Sequence, residues 1–415
     1  MAAVTGDLDG PAVRGPLAVG AARREMMAAV PRLEAEAIPL GGEAVGRVLA
    51  EPVAATVRLP PFDNSAMDGY AVRVADITKV PWRLPVVGEM AAGMAPGAVA
   101  LQRSSCAKVM TGAPLPSGAD AVVPYEWTDR GTVEVLIHER PRRGNAVRRA
   151  GEDVSPGQQV LAAGHRIRPT DLAPLAASGA AALQVARRPR VALLTTGDEI
   201  RAAGSELLPG QIFDTAGPAL EGLVAAAGGD VSFRGRVGDD PVRVREVLLE
   251  AAAGSDVLVT VGGVSMGDHD HVRAIAQEIG GLQFWRVAMR PGQPIAFGHL
   301  GSAVFLGLPG NPVSACVTFI LFGAPALLAM QGAASPEPPT MNAELLEDVD
   351  KPEGLETFHR ALLRPRPGKL PGVRLTGSQS SGVTISLARA DCLVVLPARG
   401  ARVARGTVVE IIPLG

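Results

Sequence analysis

The strongest constraint in this 415-residue sequence is a regular exchange of apolar runs and helical segments that begins at Val191. VALLTT (191–196), a run over about 231–237 and DVLVTV (256–261) read as buried strands. Helical segments separate them. One starts near Asp214-Thr215 and stops at Gly228-Gly229. A second opens on Asp240-Pro241, an N-cap followed by proline at the first helical position, and ends at Gly254. A third covers about Asp270 to Ile279. Strands and helices in this order predict right-handed crossovers and a doubly wound, mostly parallel sheet covered on both faces.

The rest of the chain reads as units arranged around this one. Residues 1–14 have the character of a disordered tail. Residues 15–58 together with 148–187 read as a split helical domain, with helices expected at Leu17 to Val30 and Glu43 to Ala50. Between its halves, 59–147 has short apolar runs broken by Gly and Pro, and predicts a β-rich insertion. The central α/β domain spans 188–334. A proline-rich linker, Ser335 to Pro339, leads to 340–415, whose alternating runs DCLVVLP and GTVVEIIP predict a small β barrel or sandwich.

Composition narrows the function classes. A content of 47% hydrophobic and 20% charged residues supports several buried cores. A net charge of −2 offers no bulk electrostatic case for nucleic acid or an anionic membrane. The three cysteines, Cys106, Cys316 and Cys392, are far apart and form no Cys-x-x-Cys pair, so a disulfide framework or structural zinc is not expected and a reducing cytoplasm is. No signal peptide is read at the N-terminus. PVSACVTFILFGAPALLAM (312–330) is long enough to cross a bilayer, but it lacks a basic flank and an aromatic belt and contains Pro325. It is expected to be a buried helix.

In a doubly wound sheet, ligands bind beyond the carboxyl ends of the strands. Four such ends carry polar or glycine-rich loops: Thr196-Gly197-Asp198-Glu199, Gly238-Asp239-Asp240, the stretch from Gly262 to Asp270, and Leu308-Pro309-Gly310-Asn311-Pro312-Val313-Ser314. One loop of this kind is ordinarily a helix cap. Four at one sheet edge outline a site. Gly262-Gly263 and Gly310-Asn311-Pro312 would let backbone N–H groups and helix N-termini approach an oxyanion. Glu199, Asp239 and Asp270 add hard oxygens suited to Mg²⁺ bridging phosphates. Asp268-His269-Asp270-His271 can also be read as a transition-metal cluster, though adjacent residues seldom converge on one ion. Arg286 and Arg290 could clamp an oxyanion or be solvated surface arginines. Neither a dinucleotide fingerprint nor a P-loop is present.

A second polar concentration, PPFDNSAMDGY (60–70), opens the insertion. Its residues fit a solvated turn or the wall of a site. Asp63, Asn64, Ser65 and Asp68 are its polar members, and Met67 and Tyr70 stand between and beside them.

FDNSAMDGYAVR (62–73), KVMTGAPLPSGADAVV (108–123), VRRAGEDV (147–154), TTGDEI (195–200), GQIFDT (210–215), VGDDP (237–241), GGVSMGDHD (262–270), FWRVAMRPGQPIAFG (284–298) and GLPGNPVSACVTF (307–319) occur in this order. In these segments the chain resembles the MoeA family of molybdopterin molybdenumtransferases, to which the E domain of gephyrin is related. The resemblance covers nearly the whole chain from about residue 15.

It implies insertion of molybdate into adenylylated molybdopterin, with Mg²⁺-dependent pyrophosphate cleavage that releases AMP and molybdenum cofactor. It further implies a cytoplasmic homodimer whose cleft lies between subunits, and contact with the molybdopterin adenylyltransferase. Family active-site positions fall on Asp68, Thr111 and Asp153 in the N-terminal half, and on Glu199, Asp239 and Asp270 in the central domain, the last three as the Mg²⁺ set. On the resemblance, Asp68 is the working acid of 60–70, Asp63, Asn64 and Ser65 shape its loop, and Tyr70 and Met67 are expected to pack its base. Substrate would be cradled by Gly262, Gly263 and Ser265, by Pro309, Gly310, Asn311, Pro312 and Ser314, and by Arg286 and Arg290. Arg286, Arg290 and Gln293 stand where many relatives carry lysine. Molybdate and tungstate are not distinguished, being nearly the same size. A non-catalytic molybdopterin-binding scaffold, or another phosphate-binding α/β enzyme, would use the same sheet edge.

Overall fold

The computed structural model describes residues 15–264 and 271–414. The expected tail at 1–14 and the roles expected of Ser265 and Asp270 lie outside the described residues.

The apolar runs after Val191 form a six-stranded sheet in the order Asp230–Val237, Arg190–Thr196, Val257–Val261, Ala303–Leu308, Pro294–Leu300, Leu282–Arg286. The first four run parallel. Pro294–Leu300 is antiparallel to both of its neighbours, because a hairpin rather than a crossover helix joins it to Ala303–Leu308. Side chains alternate between two cores. Val191, Leu193, Val257 and Val259 face one, and Ala192, Leu194 and Leu258 the other. A strand buried on both faces has no polar side, which is why these runs read as continuously apolar.

Helices Ala216–Ala226 and Pro312–Met330 cover the first face, and Pro241–Ala253 and His271–Ile279 the second. The apolar run at 312–330 is a core helix, with 83% of its most apolar stretch buried. A π-helical turn at Phe319–Gly323 precedes Pro325, so the helix passes the missing proline N–H by widening locally instead of ending. Helix Val19–Ala29 packs Val19, Ala22 and Met26 into the same core.

The expected helix at Glu43 to Ala50 is corrected. Only a single 3-10 turn forms, at Gly42–Ala44. Gly46, at φ +82°, ends it, and the chain then extends so that Val48 bridges Arg166 and Leu49 bridges Val185. Across the two segments 15–58 and 148–187, helix is confined to Val19–Ala29, Leu172–Ala177 and short 3-10 turns. Ala35–Pro39 pairs with Ala182–Ala186 as a two-stranded ribbon.

The insertion is a five-stranded sheet ordered Ala121–Pro124, Gly69–Val72, Cys106–Val109, Trp82–Met90, Glu134–Ile137. Gly69 is obligatory there: a Cβ would stand 2.1 Å from the Val123 carbonyl oxygen. At the C-terminus, Glu356–Arg364 pairs with both Gly372–Leu375 and Cys392–Leu396, which closes the small barrel. The two-residue strand Met289–Arg290 adds to Glu356 and Thr357, so the barrel is joined to the central domain at Arg290.

Candidate active site

The carboxyl ends of the central strands enclose a cavity of about 500 Å³. Its lining includes Glu199, Asp239, Gly262, Gly263, Pro309, Gly310, Asn311 and Pro312, so eight of the residues expected to form the site from four separate loops do meet. The loops hold one another. The Asp198 N–H reaches the Asp239 carboxylate at 3.5 Å, and the Asp239 N–H returns to the Asp198 carboxylate at 3.3 Å. Glu199 folds its carboxylate over Gly197, where a Cβ would lie 2.4 Å from it. Gly262 and Gly263 adopt φ +91° and +68°, and a Cβ on Gly263 would lie 2.5 Å from the Val272 side chain. Only glycine allows this turn while leaving the backbone against the cavity.

Residues of the TTGDEI (195–200) and GQIFDT (210–215) segments that were given no individual role from the sequence also join the cavity. Asp214, 4% exposed, lines the cavity, accepts the Gly217 N–H at 2.8 Å and has Arg236 at 3.7 Å. Thr195 and Thr196 contribute hydroxyls from the strand end. Ile200, Ile212 and Phe213 form an apolar lip, with Ile212 and Phe213 exposed to solvent. Asp214 was legible as the start of a helix, which concealed its position at the strand edge.

Arg290 and Ser314 line a different cleft, of about 830 Å³, between the central domain and the barrel. Gln293, His359, Arg360, Gln379 and Ser380 share it. Arg360 is 1% exposed and donates to the Ser386 hydroxyl and to the Ser378 and Ser380 carbonyls. Burial, reinforced by Arg360, Arg290 and Lys351, pushes the His359 imidazole down to about 4, so it is neutral near pH 7. Arg290, Gln293 and Ser314 were named from the sequence, whereas His359, Arg360, Gln379 and Ser380 were not. The two spaces adjoin: Pro294 lines both, and the helix that starts at Pro312 in the first presents Ser314 to the second. Arg286 ends strand Leu282–Arg286, pairs with Pro294 and accepts the Leu17 N–H on its carbonyl.

In the insertion, Asp68 and Thr111 meet. One Asp68 oxygen accepts the Thr111 N–H at 2.7 Å and its hydroxyl at 2.8 Å. Asp63 binds Arg149 and the Ala150 N–H, while Asn64 and Ser65 are buried, so these three shape the loop. Tyr70 is buried and donates to the Gly131 carbonyl. Met67 departs from the expectation. It is 42% exposed, because the turn after Ser65 projects it outward. Asp153 stands apart, in a groove with Leu59, Val160 and Pro174. None of Asp68, Thr111 and Asp153 lines the central cavity within one chain.

The chain matches three family models in succession: the MoeA N-terminal region (domain I and II) over residues 17–179, a probable molybdopterin binding domain over 192–329, and the MoeA C-terminal region (domain IV) over 342–414. A molybdopterin molybdenumtransferase of Haemophilus influenzae is 35% identical over 375 residues, covering 89% of this chain and 92% of the relative.

The chain belongs to the MoeA family.

Molybdopterin molybdenumtransferase 2 of Mycobacterium tuberculosis is 38% identical over 379 residues, covering 89% of this chain and 93% of the relative. A crystal structure of a molybdopterin biosynthesis MoeA protein from Pyrococcus horikoshii superposes with a TM-score of 0.81 at 28% identity, over 96% of this chain and all of that one. Like this MoeA structure, the chain is a multidomain α/β protein, and its C-terminal domain is a closed barrel.

Proposed function

We propose that this MoeA-family chain is a transferase of molybdenum cofactor biosynthesis. It would insert molybdate into adenylylated molybdopterin, cleaving the pyrophosphate link and releasing AMP. The observation that supports this reading is the adjacency of two spaces with unlike linings. One pairs glycine-lined backbone and a helix N-terminus with carboxylates, the other is lined by Arg290 and Arg360, and Pro294 stands between them.

In this reading the cavity of Gly262, Gly263 and Gly310 takes the phosphate-bearing end of the substrate against main-chain N–H groups and the Pro312 helix end. The lip of Ile200, Ile212 and Phe213 packs the pterin ring and excludes water. The cleft of Arg290, Arg360 and Ser314 takes the oxyanion, with planar guanidinium donors suited to its geometry. The neutral His359 adds a hydrogen-bonding group there without adding charge.

Mg²⁺ fits the donor set. Glu199 and Asp239 bring hard oxygens to one cavity, and Mg²⁺ commonly takes one or two carboxylates together with phosphate and water. Glu199 and Asp239 would hold it, with Asp270 expected as the third ligand. When bound, it would neutralise charge on the phosphoryl oxygens.

Asp68, Thr111 and Asp153 do not reach this cavity within one chain, which supports a homodimer whose insertion faces the partner's central domain. The three cysteines are buried and free, as suits a reducing cytoplasm. Contact with the adenylyltransferase that supplies the substrate would shield the activated intermediate.

The test mixes purified protein, adenylylated molybdopterin, molybdate and Mg²⁺, and follows AMP release and reconstitution of an apo-molybdoenzyme. Both are expected, and both are expected to be lost in Glu199→Ala with the fold intact. Binding of the substrate without AMP release would overturn the catalytic reading in favour of a scaffold.

A further inference from the structure

Behind the wall of the interdomain cleft lies a second buried cation besides Arg360. Lys351 is 6% exposed, and its Nζ donates to the carbonyls of Pro352 at 3.1 Å, Ala398 at 3.3 Å and Leu355 at 3.5 Å. An ammonium has three N–H donors. Its hydrogen bonding is therefore complete, yet none of these partners carries a negative charge. Of the acids near it along the chain, Asp348 and Asp350 are directed to Arg402, at 2.6 and 3.9 Å.

A buried charge with no opposite charge beside it costs free energy that hydrogen bonds to carbonyls only partly offset. An apolar residue or a glutamine would cost less at this position. Lysine is also scarce, at four residues in the whole chain. The segment it ties down is part of the cleft itself: Asp350, Pro352 and Leu355, on either side of it, all line that space. Its charge is felt across the cleft too, as one of the influences acting on His359.

We infer that Lys351 is a positioning residue of the cleft: its ammonium fixes the wall at residues 352–355 to the segment at Ala398 and stands behind the oxyanion held by Arg290 and Arg360. This rests on the reading of the cleft as an oxyanion site. The compact ammonium suits a ring of three carbonyls, whereas a guanidinium is a planar fork with different reach. Lys351 touches no ligand. It acts by lowering the free energy of a doubly negative ion in the cleft.

The experiment is calorimetric titration of the full-length protein with tungstate and with molybdate, for wild type, Lys351→Gln and Lys351→Arg. Glutamine can still donate to the carbonyls but carries no charge. Lys351→Gln is expected to weaken oxyanion binding about tenfold, and Lys351→Arg less than about threefold. In Lys351→Gln the His359 imidazole should titrate at higher pH than in wild type, a change that loosened packing alone would not single out. A measurement on the unmodified protein stands beside these. With lysine Cε labelled, the Lys351 resonance should move on adding tungstate, and the Lys79 and Lys369 resonances should not. If wild type binds neither ion, the oxyanion reading of the cleft fails. If wild type binds and Lys351→Gln binds equally well, or the Lys351 resonance stays still, the cleft reading survives and the role of Lys351 is overturned.

Discussion

Asp68 and Thr111 are joined through a single carboxylate oxygen, which accepts the Thr111 N–H at 2.7 Å and its Oγ1 hydroxyl at 2.8 Å. The main-chain bond is the larger influence and the hydroxyl the next, and together they hold the Asp68 carboxyl below its usual range. Thr111→Val removes the hydroxyl and leaves the amide. The Asp68 pKa should then rise toward the ordinary value, and the acid limb of the kcat/KM profile should move to higher pH with it. A limb that does not move would separate Asp68 from the reaction. Because Asp68 is exposed, Asp68→Asn should lower turnover on the order of a hundredfold without moving the thermal midpoint.

Asp214 couples the cavity to the helix behind it. Its carboxylate caps the first turn of Ala216–Ala226 through the Gly217 N–H and faces Arg234 and Arg236. Asp214→Ala should cost about 1 kcal/mol of stability as a lost cap. Substrate affinity should fall as well, since the residue lines the cavity, and Arg236 is left without this anion. Urea unfolding and substrate titration on the same preparation separate the two effects.

Asp256 holds the start of the central sheet. It accepts hydrogen bonds from both guanidinium nitrogens of Arg187, at 2.6 and 2.9 Å, and from the Arg190 N–H at 2.8 Å. Burial by itself would raise its pKa. The Arg187 and Arg190 bonds outweigh it and hold the carboxyl well below the usual range. A depressed folded pKa contributes stability above the unfolded value and loses it as pH falls toward the folded value. Asp256→Asn should therefore cost about 2–3 kcal/mol near neutral pH. The gap to wild type should narrow as pH drops below about 4. Denaturant midpoints across pH measure this directly.

His359 also costs stability as pH falls, but over a higher window than Asp256. Its imidazole is pushed from 6.5 down to about 4, chiefly by burial and then by Arg360, Arg290 and Lys351. Below pH 6.5 the unfolded chain binds a proton that the folded chain refuses, so stability is lost as pH falls through this window. His359→Gln should lose less stability than wild type between about pH 7 and 4, by about 2–3 kcal/mol. A bound oxyanion should shift the same window upward, because it favours the charged imidazolium.

Particular residues show how far the sequence could be read. Asp240-Pro241 announced a helix start, and Asp240 does accept the Val242 N–H at the head of Pro241–Ala253. Glu199, Asp239 and the Gly262-Gly263 pair were legible because each follows an apolar run at the same end of one sheet. The Glu43 to Ala50 helix was misread because the apolar pair Val48-Leu49 suits either a helix face or an extended bridge. The positive φ of Gly46 and the pairing with Arg166 and Val185 select the second. Arg360 gave almost no signal, since what distinguishes a buried arginine from a surface one is the set of carbonyls around it.

The sequence alone determined the layer architecture, the order of the units and the loops at the carboxyl edge of the central sheet. These follow from local periodicity, turn chemistry and the short range of helix caps. Tertiary structure decided that Asp214 turns inward, that Arg290 and Arg360 line one cleft at a domain boundary, and that Asp68 with Thr111 stands away from the cavity of its own chain. Those relationships join residues distant in the chain through packing and long-range strand pairing, and no local pattern of side chains encodes the distance between them.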